Sequence, residues 1–278
     1  MTAGAAKAGV VGWPVAHSLS PVMMEAWLAD TGLAGSYERI AASPDTFVDT
    51  IVRLRGAGFS GVNITLPHKE SALALADRAS EAARACGAAN VLVFGEAGIH
   101  ADNTDIVGIR AALEAGGWQP GEGPAVLVGA GGAARAALFV LKASGVPVRI
   151  VNRSTEKAAD LARSMGCAAE IYPFQQAASA LEHARLVINA TSLGMTGEPP
   201  LALPLHGVSA NAVVFDMVYA PLETPLLRAA RTAGLSTADG LSMLIGQARP
   251  AFELFFGTPP PDHTPVRALL ESALEARS

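Results

Sequence analysis

A short apolar strand that runs into a glycine-rich turn and then into an apolar helix limits most strongly how this chain can fold. The strand is Ala125–Val128, and the helical run after the turn extends through Leu141. The turn has the form G-x-G-x-x-A, in which the first glycine permits a tight bend, the second lets backbone approach a pyrophosphate and the alanine allows close helix packing. In this context the motif predicts a dinucleotide-binding fold. Its predicted cofactor-binding residues are Gly129, Ala130, Gly131, Gly132 and Ala133.

Further apolar strands follow the glycine turn, each separated from the next by roughly the length of a helix. This alternation is typical of a doubly wound parallel sheet, which is a Rossmann-like α/β fold. The predicted strands are Ala125–Val128, Val148–Val151, Ala169–Tyr172, Leu186–Asn189 and Val213–Phe215.

The residues before the glycine turn also alternate between strands and helices, which predicts an N-terminal α/β domain with a mostly parallel sheet. The predicted strands are Ala8–Val11, Ser36–Ala41, Phe59–Thr65, Asn90–Phe94 and Ile99–Ala101, the last two forming a hairpin. The predicted helices are Pro21–Asp30, Pro44–Arg55 and Lys69–Arg78. A turn-rich segment, Gly116–Pro124, marks the boundary between two domains, as the length of 278 residues suggests.

Composition excludes several classes of protein. Half of the residues are apolar and the net charge is −5 without a basic run, which predicts a globular protein that binds no nucleic acid. No apolar stretch reaches the roughly 20 residues that span a bilayer, and the N-terminus lacks an export signal. Cys86 and Cys167 have no metal-ligand spacing, so neither a disulfide framework nor a metal site is predicted. The expected location is the cytoplasm.

The residues after the second strand of the glycine-turn domain predict which nucleotide binds. An NAD site usually places an acidic residue there, whereas this chain has Asn152, Arg153 and Ser154, followed by Lys157. A guanidinium complements a phosphate dianion that a carboxylate would repel, so NADP is the predicted cofactor. The alternative is that Arg153 is a solvated charge at a strand end.

The loop after Leu186–Asn189 should border the cofactor, because this strand neighbours the first one in the usual strand order. Thr191 and Met195 are candidates for the nicotinamide side of that site. Equally, Asn189 and Thr191 could only close a turn, and the sequence leaves both interpretations open.

The first domain carries the candidate catalytic residues. Lys69 follows a predicted strand end, where its amine could exchange a proton with a substrate hydroxyl, and Asp105 could pair with it. A structural salt bridge is the alternative for this pair. Ser18 and Ser20 lie at a predicted helix start, where free N–H groups and the helix dipole favour a carboxylate, although Ser20 could be only an N-cap.

Taken together, these motifs resemble the shikimate dehydrogenase family along nearly the whole chain. The matching segments are S-L-S-P at 18–21, N-I-T-L-P-H-K at 63–69, G-A-A-N at 87–90, N-T-D-x-x-G at 103–108, G-A-G-G-A-A at 129–134, N-R-S at 152–154, N-A-T-S-x-G-M at 189–195, D-x-V-Y-x-P at 216–221 and D-G-L-S-M-L-I-G-Q-A at 239–248. Their order and number make the joint resemblance specific.

The resemblance implies NADP-dependent, reversible reduction of 3-dehydroshikimate to shikimate on the route to aromatic amino acids. It implies that Lys69 and Asp105 form the catalytic pair. The implied substrate-binding residues are Ser18, Ser20, Thr65, Asn90, Tyr219 and Gln247, and Val218 and Gly240 join the implied cofactor set. The implied domains are a discontinuous catalytic domain, residues 1–105 plus 240–278, and an NADP-binding Rossmann domain, residues 106–239.

One segment departs from the family pattern. Family members commonly have His-Asn shortly after S-x-S-P, whereas this chain has Met23-Met24-Glu25. The alternatives are therefore a quinate or aminoshikimate dehydrogenase of the same family, using NADP or NAD, or a non-catalytic metabolite sensor on the same fold. The expected partner is a small-molecule substrate, and the expected assembly is a monomer or a homodimer.

Overall fold

The computed structural model describes residues 5–121 and 123–277. Residues 1–4 of the N-terminal segment and Glu122 of the predicted boundary lie outside the described residues. The chain forms two compact units, one made of the residues up to Asp105 together with those from Ile245 onward, the other of Ile106–Leu244. The domain limits given above remain predictions.

The first unit is built on a six-stranded sheet with the order β2-β1-β3-β5-β6-β4. Its strands are β1 Ala6–Gly12, β2 Gly35–Ala41, β3 Phe59–Ile64, β4 Arg78–Ala79, β5 Val91–Gly95 and β6 Gly98–Asp102. The helices between them are α1 Ser20–Thr31, α2 Phe47–Gly56, α3 Lys69–Leu75 and α4 Glu81–Cys86. Strand β1 pairs in parallel with β2 and β3, and β4 with β6, while β5 is antiparallel to both of its neighbours.

The second unit contains a six-stranded, wholly parallel sheet with the order β12-β11-β10-β7-β8-β9. Its strands are β7 Ala125–Val128, β8 Val148–Asn152, β9 Ala169–Pro173, β10 Leu186–Asn189, β11 Val213–Asp216 and β12 Ser236–Ala238. The α-helices from Asp105 onward are α5 Asp105–Ala115, α6 Gly132–Ser144, α7 Thr155–Ser164, α8 Ala177–Leu181, α9 Pro225–Thr232, α10 Gly240–Phe256 and α11 Val266–Glu275. This order confirms the predicted doubly wound fold and places β7 beside β10 at the switch point.

Three predicted elements differ from the structure. The helix predicted over Lys69–Arg78 ends at Leu75, because the Asp77 carboxylate and N–H both bond the backbone of Ile99 and draw the chain into strand β4. The helix predicted from Pro44 begins at Phe47. Ser20 is not an N-cap, since Leu19 holds that position and no side chain caps the helix.

Apolar residues from both faces of each sheet form the cores. In the first unit, Phe47, Ile51 and Leu92 are among the fully buried side chains that join α2 to the sheet. In the second, Val126 and Val187 pack on neighbouring parallel strands. Within the described part of the chain, no helix has the length and apolar character needed to cross a membrane.

Candidate active site

Lys69 and Asp105 form an ion pair in the first unit. Lys69 is the first residue of α3, just after β3, and Asp105 is the first residue of α5, just after β6. The Lys69 Nζ lies 2.5 Å from Asp105 Oδ2, and the two side chains are 15% and 4% exposed. The carboxylate is therefore enclosed, whereas the lysine keeps some surface that a ligand can reach.

Asn90 connects this pair to the last part of the chain. Its Nδ2 donates to Asp105 Oδ1 at 3.0 Å and to Thr104 Oγ1 at 3.0 Å, and lies 3.2 Å from Gln247 Oε1 on α10. Its Oδ1 accepts from the Thr104 N–H at 2.7 Å. Because Asp105 accepts at both oxygens, the amide of Asn90 must face it with its NH₂ group. The structure thus brings four predicted site residues together: Lys69, Asn90, Asp105 and Gln247.

Asn103 and Thr104 support this cluster, and sequence reasoning assigned them no role of their own. The Asn103 Oδ1 accepts from the Asp105 N–H at 3.1 Å, and its Nδ2 donates to Ala88 O at 2.8 Å. Both side chains are at least 96% buried. The sequence signal that could have found them is a pair of polar residues between the β5–β6 hairpin and helix α5. Polar groups that become buried at such a place need hydrogen-bond partners.

A second buried polar pair lies beneath the cluster. The Tyr37 hydroxyl donates to Asn63 Oδ1 at 2.7 Å, and Asn63 Nδ2 donates to the Asn90 carbonyl at 3.3 Å. Burial raises the pKa of Tyr37, an effect that a hydrogen bond from Ser20 partly offsets. Sequence reasoning missed Tyr37, because a tyrosine within a strand carries no signal of a polar role.

The predicted carboxylate-binding serines lie close together at the start of α1. The Ser18 hydroxyl is 3.3 Å from that of Ser20 and also accepts from the Ser20 N–H at 3.3 Å. Ser20 is buried, whereas Ser18 is half-buried. Thr65 follows β3 and is also half-buried, with its N–H bonded to Val11 O at 2.9 Å. Tyr219 lies in the second unit, after β11, and is half-buried.

Three residues that lie close in sequence to predicted site residues are buried and structural. His68 is 2% exposed, stacks on Phe47 with ring centroids 4.4 Å apart, and places Nε2 2.7 Å from Ala42 O. It fixes the turn before Lys69. Met23 and Met24 have no exposed surface and belong to the core. The departure from the family pattern therefore consists of buried packing at these two positions.

The glycine turn of the second unit has the local geometry that a nucleotide-binding turn needs. Gly129 has a φ of 114°, and a Cβ there would lie 2.9 Å from Thr191 Cγ2. A Cβ on Gly131 would meet nothing within 4 Å, so the backbone at the start of α6 faces open space. Ala134 is fully buried against the sheet. Open space at a helix N-terminus fits a pyrophosphate.

The residues after β8 fit a phosphate on the adenosine ribose. Asn152 Nδ2 donates to Ser154 O at 2.8 Å, and the Ser154 hydroxyl accepts from the Lys157 N–H at 3.3 Å as the N-cap of α7. Arg153 and Lys157 are exposed, and within the described residues neither side chain has an acidic partner. Two unpaired cations on a fixed turn suit a phosphate dianion.

A buried carboxylate holds the two loops that follow β10 and β11. Asp216 accepts from Thr224 Oγ1 at 2.7 Å, from Asn189 Nδ2 at 2.8 Å and from the Val218 N–H at 3.0 Å. Asn189 Oδ1 in turn accepts from the Thr191 N–H and hydroxyl. Asn189 and Thr191 therefore do close a turn. That turn and Val218 are fixed by Asp216.

The other predicted cofactor residues extend this region. Met195 is half-buried in the loop after β10. Gly240, the first residue of α10, lies so close to the Met217 carbonyl that a Cβ would overlap it. Local packing therefore requires glycine at position 240. The glycine of the D-G-L-S segment is explained by this contact and needs no ligand to account for it.

We expect Asp216→Asn to alter how stability depends on pH. Burial raises the pKa of Asp216 above its ordinary value of 3.8, against three opposing hydrogen bonds. As pH rises, Asp216 therefore loses its proton at a lower pH in the unfolded chain than in the folded protein. Between the unfolded and folded pKa values, the free energy of unfolding falls by about 1.4 kcal/mol for each pH unit. Urea unfolding of both proteins from pH 4 to pH 7 should show wild type losing stability relative to Asp216→Asn as pH rises. A constant difference would contradict the argument.

Comparisons with known families and proteins cover most of the chain. Residues 10–92 match the shikimate dehydrogenase substrate binding domain, residues 120–195 the shikimate / quinate 5-dehydrogenase family, and residues 240–270 the shikimate 5'-dehydrogenase C-terminal domain. The chain is 48% identical over 278 residues to the shikimate dehydrogenase (NADP(+)) of Maricaulis maris, with 99% of each chain covered.

Solved structures of similar proteins include complexes. The shikimate 5-dehydrogenase of Thermus thermophilus, in complex with NADP(H) and shikimate, has a TM-score of 0.84 and 37% identity, covering 98% of this chain and 100% of that one. The quinate dehydrogenase of Corynebacterium glutamicum, in complex with NAD, has a TM-score of 0.84 and 32% identity, with the same coverage. The fold is thus shared by enzymes that differ in substrate and cofactor.

Proposed function

The chain belongs to the shikimate dehydrogenase family, and from this premise we propose that it interconverts 3-dehydroshikimate and shikimate with NADP, using Lys69 as the proton carrier. The observation that carries the proposal is the ion pair of Lys69 and Asp105, 2.5 Å apart, with the lysine partly exposed and the carboxylate enclosed. The exposed part of the lysine leaves its ammonium group accessible to a substrate oxygen, which proton transfer requires.

Each member of the pair has a distinct role. When bound, the cofactor supplies or removes a hydride at the substrate carbon. Lys69 donates a proton to the carbonyl oxygen, which becomes the hydroxyl, and its neutral amine takes that proton back in the reverse direction. Asp105 accepts hydrogen bonds at both oxygens, from Lys69 and Asn90, so it orients the amine and does not transfer the proton.

The remaining site residues bind the substrate in this proposal. Ser18 and Ser20 donate to the substrate carboxylate, and Tyr219 is a further proposed substrate-binding residue. Thr65, Asn90 and Gln247 contact the ring hydroxyls. Asn90 and Gln247 suit this role because Asp105 orders the Asn90 amide, and that amide in turn donates to Gln247 Oε1, so little rotamer freedom is lost on binding.

Residues of the second unit hold NADP in this proposal. The fit rests on the open space at Gly131, the positive φ of Gly129 and the unpaired Arg153 and Lys157. The turn residues Ala130, Gly132 and Ala133 line the same bend, and the hydrogen bond from Asn152 to the Ser154 carbonyl closes the turn that carries Arg153. Thr191, Met195, Val218 and Gly240 complete the predicted cofactor set.

The location, the assembly state and the absence of nucleic-acid binding are proposed as the sequence predicts them. We propose that the enzyme works in the cytoplasm as a monomer or a homodimer, and that it binds no nucleic acid. The formal charge of −5 supports the last point, because a basic surface is the electrostatic requirement for binding nucleic acid.

The test is turnover by the purified protein with shikimate or quinate, each combined with NADP or NAD, followed by the absorbance of reduced nicotinamide. We expect the highest kcat/KM with shikimate and NADP. Higher kcat/KM with quinate would make it a quinate dehydrogenase, and binding of shikimate without turnover by any pair would favour a metabolite sensor.

A further inference from the structure

Two arginines from distant parts of the chain meet at the loop that carries the candidate carboxylate-binding serines. Arg39, on β2, donates its Nε–H to the Ser18 carbonyl at 2.9 Å. Arg277, beyond the end of α11, donates from a guanidinium nitrogen to the His17 carbonyl at 2.9 Å. Neighbouring carbonyls of one short loop are thus each held by a guanidinium.

The loop itself offers an anion few donors. At the start of α1 the Ser20 N–H bonds the Ser18 hydroxyl, Pro21 has no N–H, and the N–H groups of Val22 and Met23 bond Leu19 O. The free amides expected at this helix start are therefore already used. The neutral hydroxyls of Ser18 and Ser20 remain, and they carry no net charge to attract a carboxylate.

The two arginines bring positive charge that no ion pair neutralises among the described residues. Within residues 5–121 and 123–277, neither Arg39 nor Arg277 has an ion-pair partner. Many other arginines do: Arg149, Arg163, Arg228, Arg231, Arg249 and Arg267 all contact a carboxylate. In a chain with a net charge of −5, two unpaired cations on one loop form a local positive region.

We propose that Arg39 and Arg277 are positioning and specificity residues that order the His17–Ser20 loop and make it selective for an anionic substrate. This inference rests on the proposed function, in which that loop receives the shikimate carboxylate. Each guanidinium acts through the backbone it holds and through its charge, which is felt over about 10 Å at an ionic strength of about 0.1 M.

The experiment measures equilibrium Kd values for shikimate and for its uncharged methyl ester, in the presence of NADP. The variants are Arg39→Gln, Arg277→Gln and the double variant. The matched control is Arg55→Gln, because Arg55 is another exposed arginine that donates to a backbone carbonyl, that of Gly95. Glutamine keeps a donor and removes the charge.

We expect each single variant to raise the Kd of shikimate about fivefold and the double variant at least tenfold, with the Kd of the ester changed by less than twofold. The KM for NADP should be unchanged in every variant. The Arg55→Gln control should bind shikimate with the wild-type Kd. Arg39→Lys, which keeps the charge, should recover most of the preference for the acid over the ester. Added salt should weaken shikimate binding to wild type more than to the double variant.

Equal weakening of acid and ester would overturn the proposal, because it would show that the arginines only keep the loop folded. No change with either ligand would also overturn it. The double variant Ser18→Ala/Ser20→Ala separates this failure from that of the proposed function. If it leaves the Kd of shikimate unchanged, this inference fails together with the substrate-binding role of the serines; if it raises that Kd while the arginine variants do not, only this inference fails. Turnover of shikimate with NADP tests the proposed function independently of both outcomes.

Discussion

Replacing Lys69 by alanine is expected to lower kcat about a thousandfold, in both directions of the reaction, while the Kd of shikimate changes by less than threefold. The reason is that a positioned general acid contributes roughly 10²- to 10⁴-fold to rate, whereas one partly buried ammonium group that is already paired with Asp105 adds little to ground-state binding. Steady-state kinetics gives kcat, and calorimetry with NADP present gives the Kd. A Lys69→Ala variant that keeps more than a tenth of the wild-type kcat would refute the role.

Controls separate loss of the proton from loss of the ion pair. Alanine leaves the Asp105 carboxylate, 4% exposed, without its cation, so part of the effect could come from a disturbed site. Lys69→Arg keeps a cation for Asp105, yet a guanidinium does not give up its proton near neutral pH, so we expect a similar loss of kcat. Added methylamine should partly restore Lys69→Ala and not Lys69→Arg. Lys7→Ala, at an exposed lysine of the same unit, should behave as wild type.

Much of the catalytic cluster could be predicted because its residues follow strand ends. Lys69 comes just after β3 and Asp105 just after β6, so their pairing needs only that these ends meet at one edge of the sheet. What supports them could not be predicted. Tyr37 and Asn63 are 26 residues apart and meet across the sheet, and Arg277 reaches a loop 260 positions earlier. Contacts of this kind depend on tertiary packing and leave no local pattern.

The fold shows the same division. The strands of the second unit were predicted closely because buried parallel strands are continuous apolar runs, as Ala125–Val128 and Leu186–Asn189 illustrate. Strands β4 and β12 were missed, since two or three residues carry no periodicity. Helix α4 was missed because its six residues span fewer than two helical turns, too short to show a helical period. The Ser20 N-cap prediction was wrong because Ser20 itself begins α1 and Leu19 occupies the cap position.

The choice between NADP and NAD is expected to depend on Arg153, and the variant Arg153→Asp should lower kcat/KM with NADP at least a hundredfold. The guanidinium is exposed and has no acidic partner in the part of the chain described, so its charge is available to a phosphate dianion. A charge-assisted hydrogen bond contributes about 1.5–3 kcal/mol, and an aspartate there adds repulsion to that loss. Because the same carboxylate can accept from a ribose diol, kcat/KM with NAD should be maintained or increased.

Kinetics with both cofactors measure this directly, since the ratio of the two kcat/KM values cancels any general damage to the protein. Arg153→Ala should raise the KM for NADP about tenfold and leave that for NAD within twofold, and Lys157→Ala should have a smaller effect of the same kind. Arg163→Ala is the matched control, because Arg163 is an exposed arginine later on α7 that is paired with Asp160. If Arg153→Asp retained the wild-type preference for NADP, Arg153 would be the solvated strand-end charge that the sequence left open. The 2′-phosphate would then have to be recognised by other residues of the second unit.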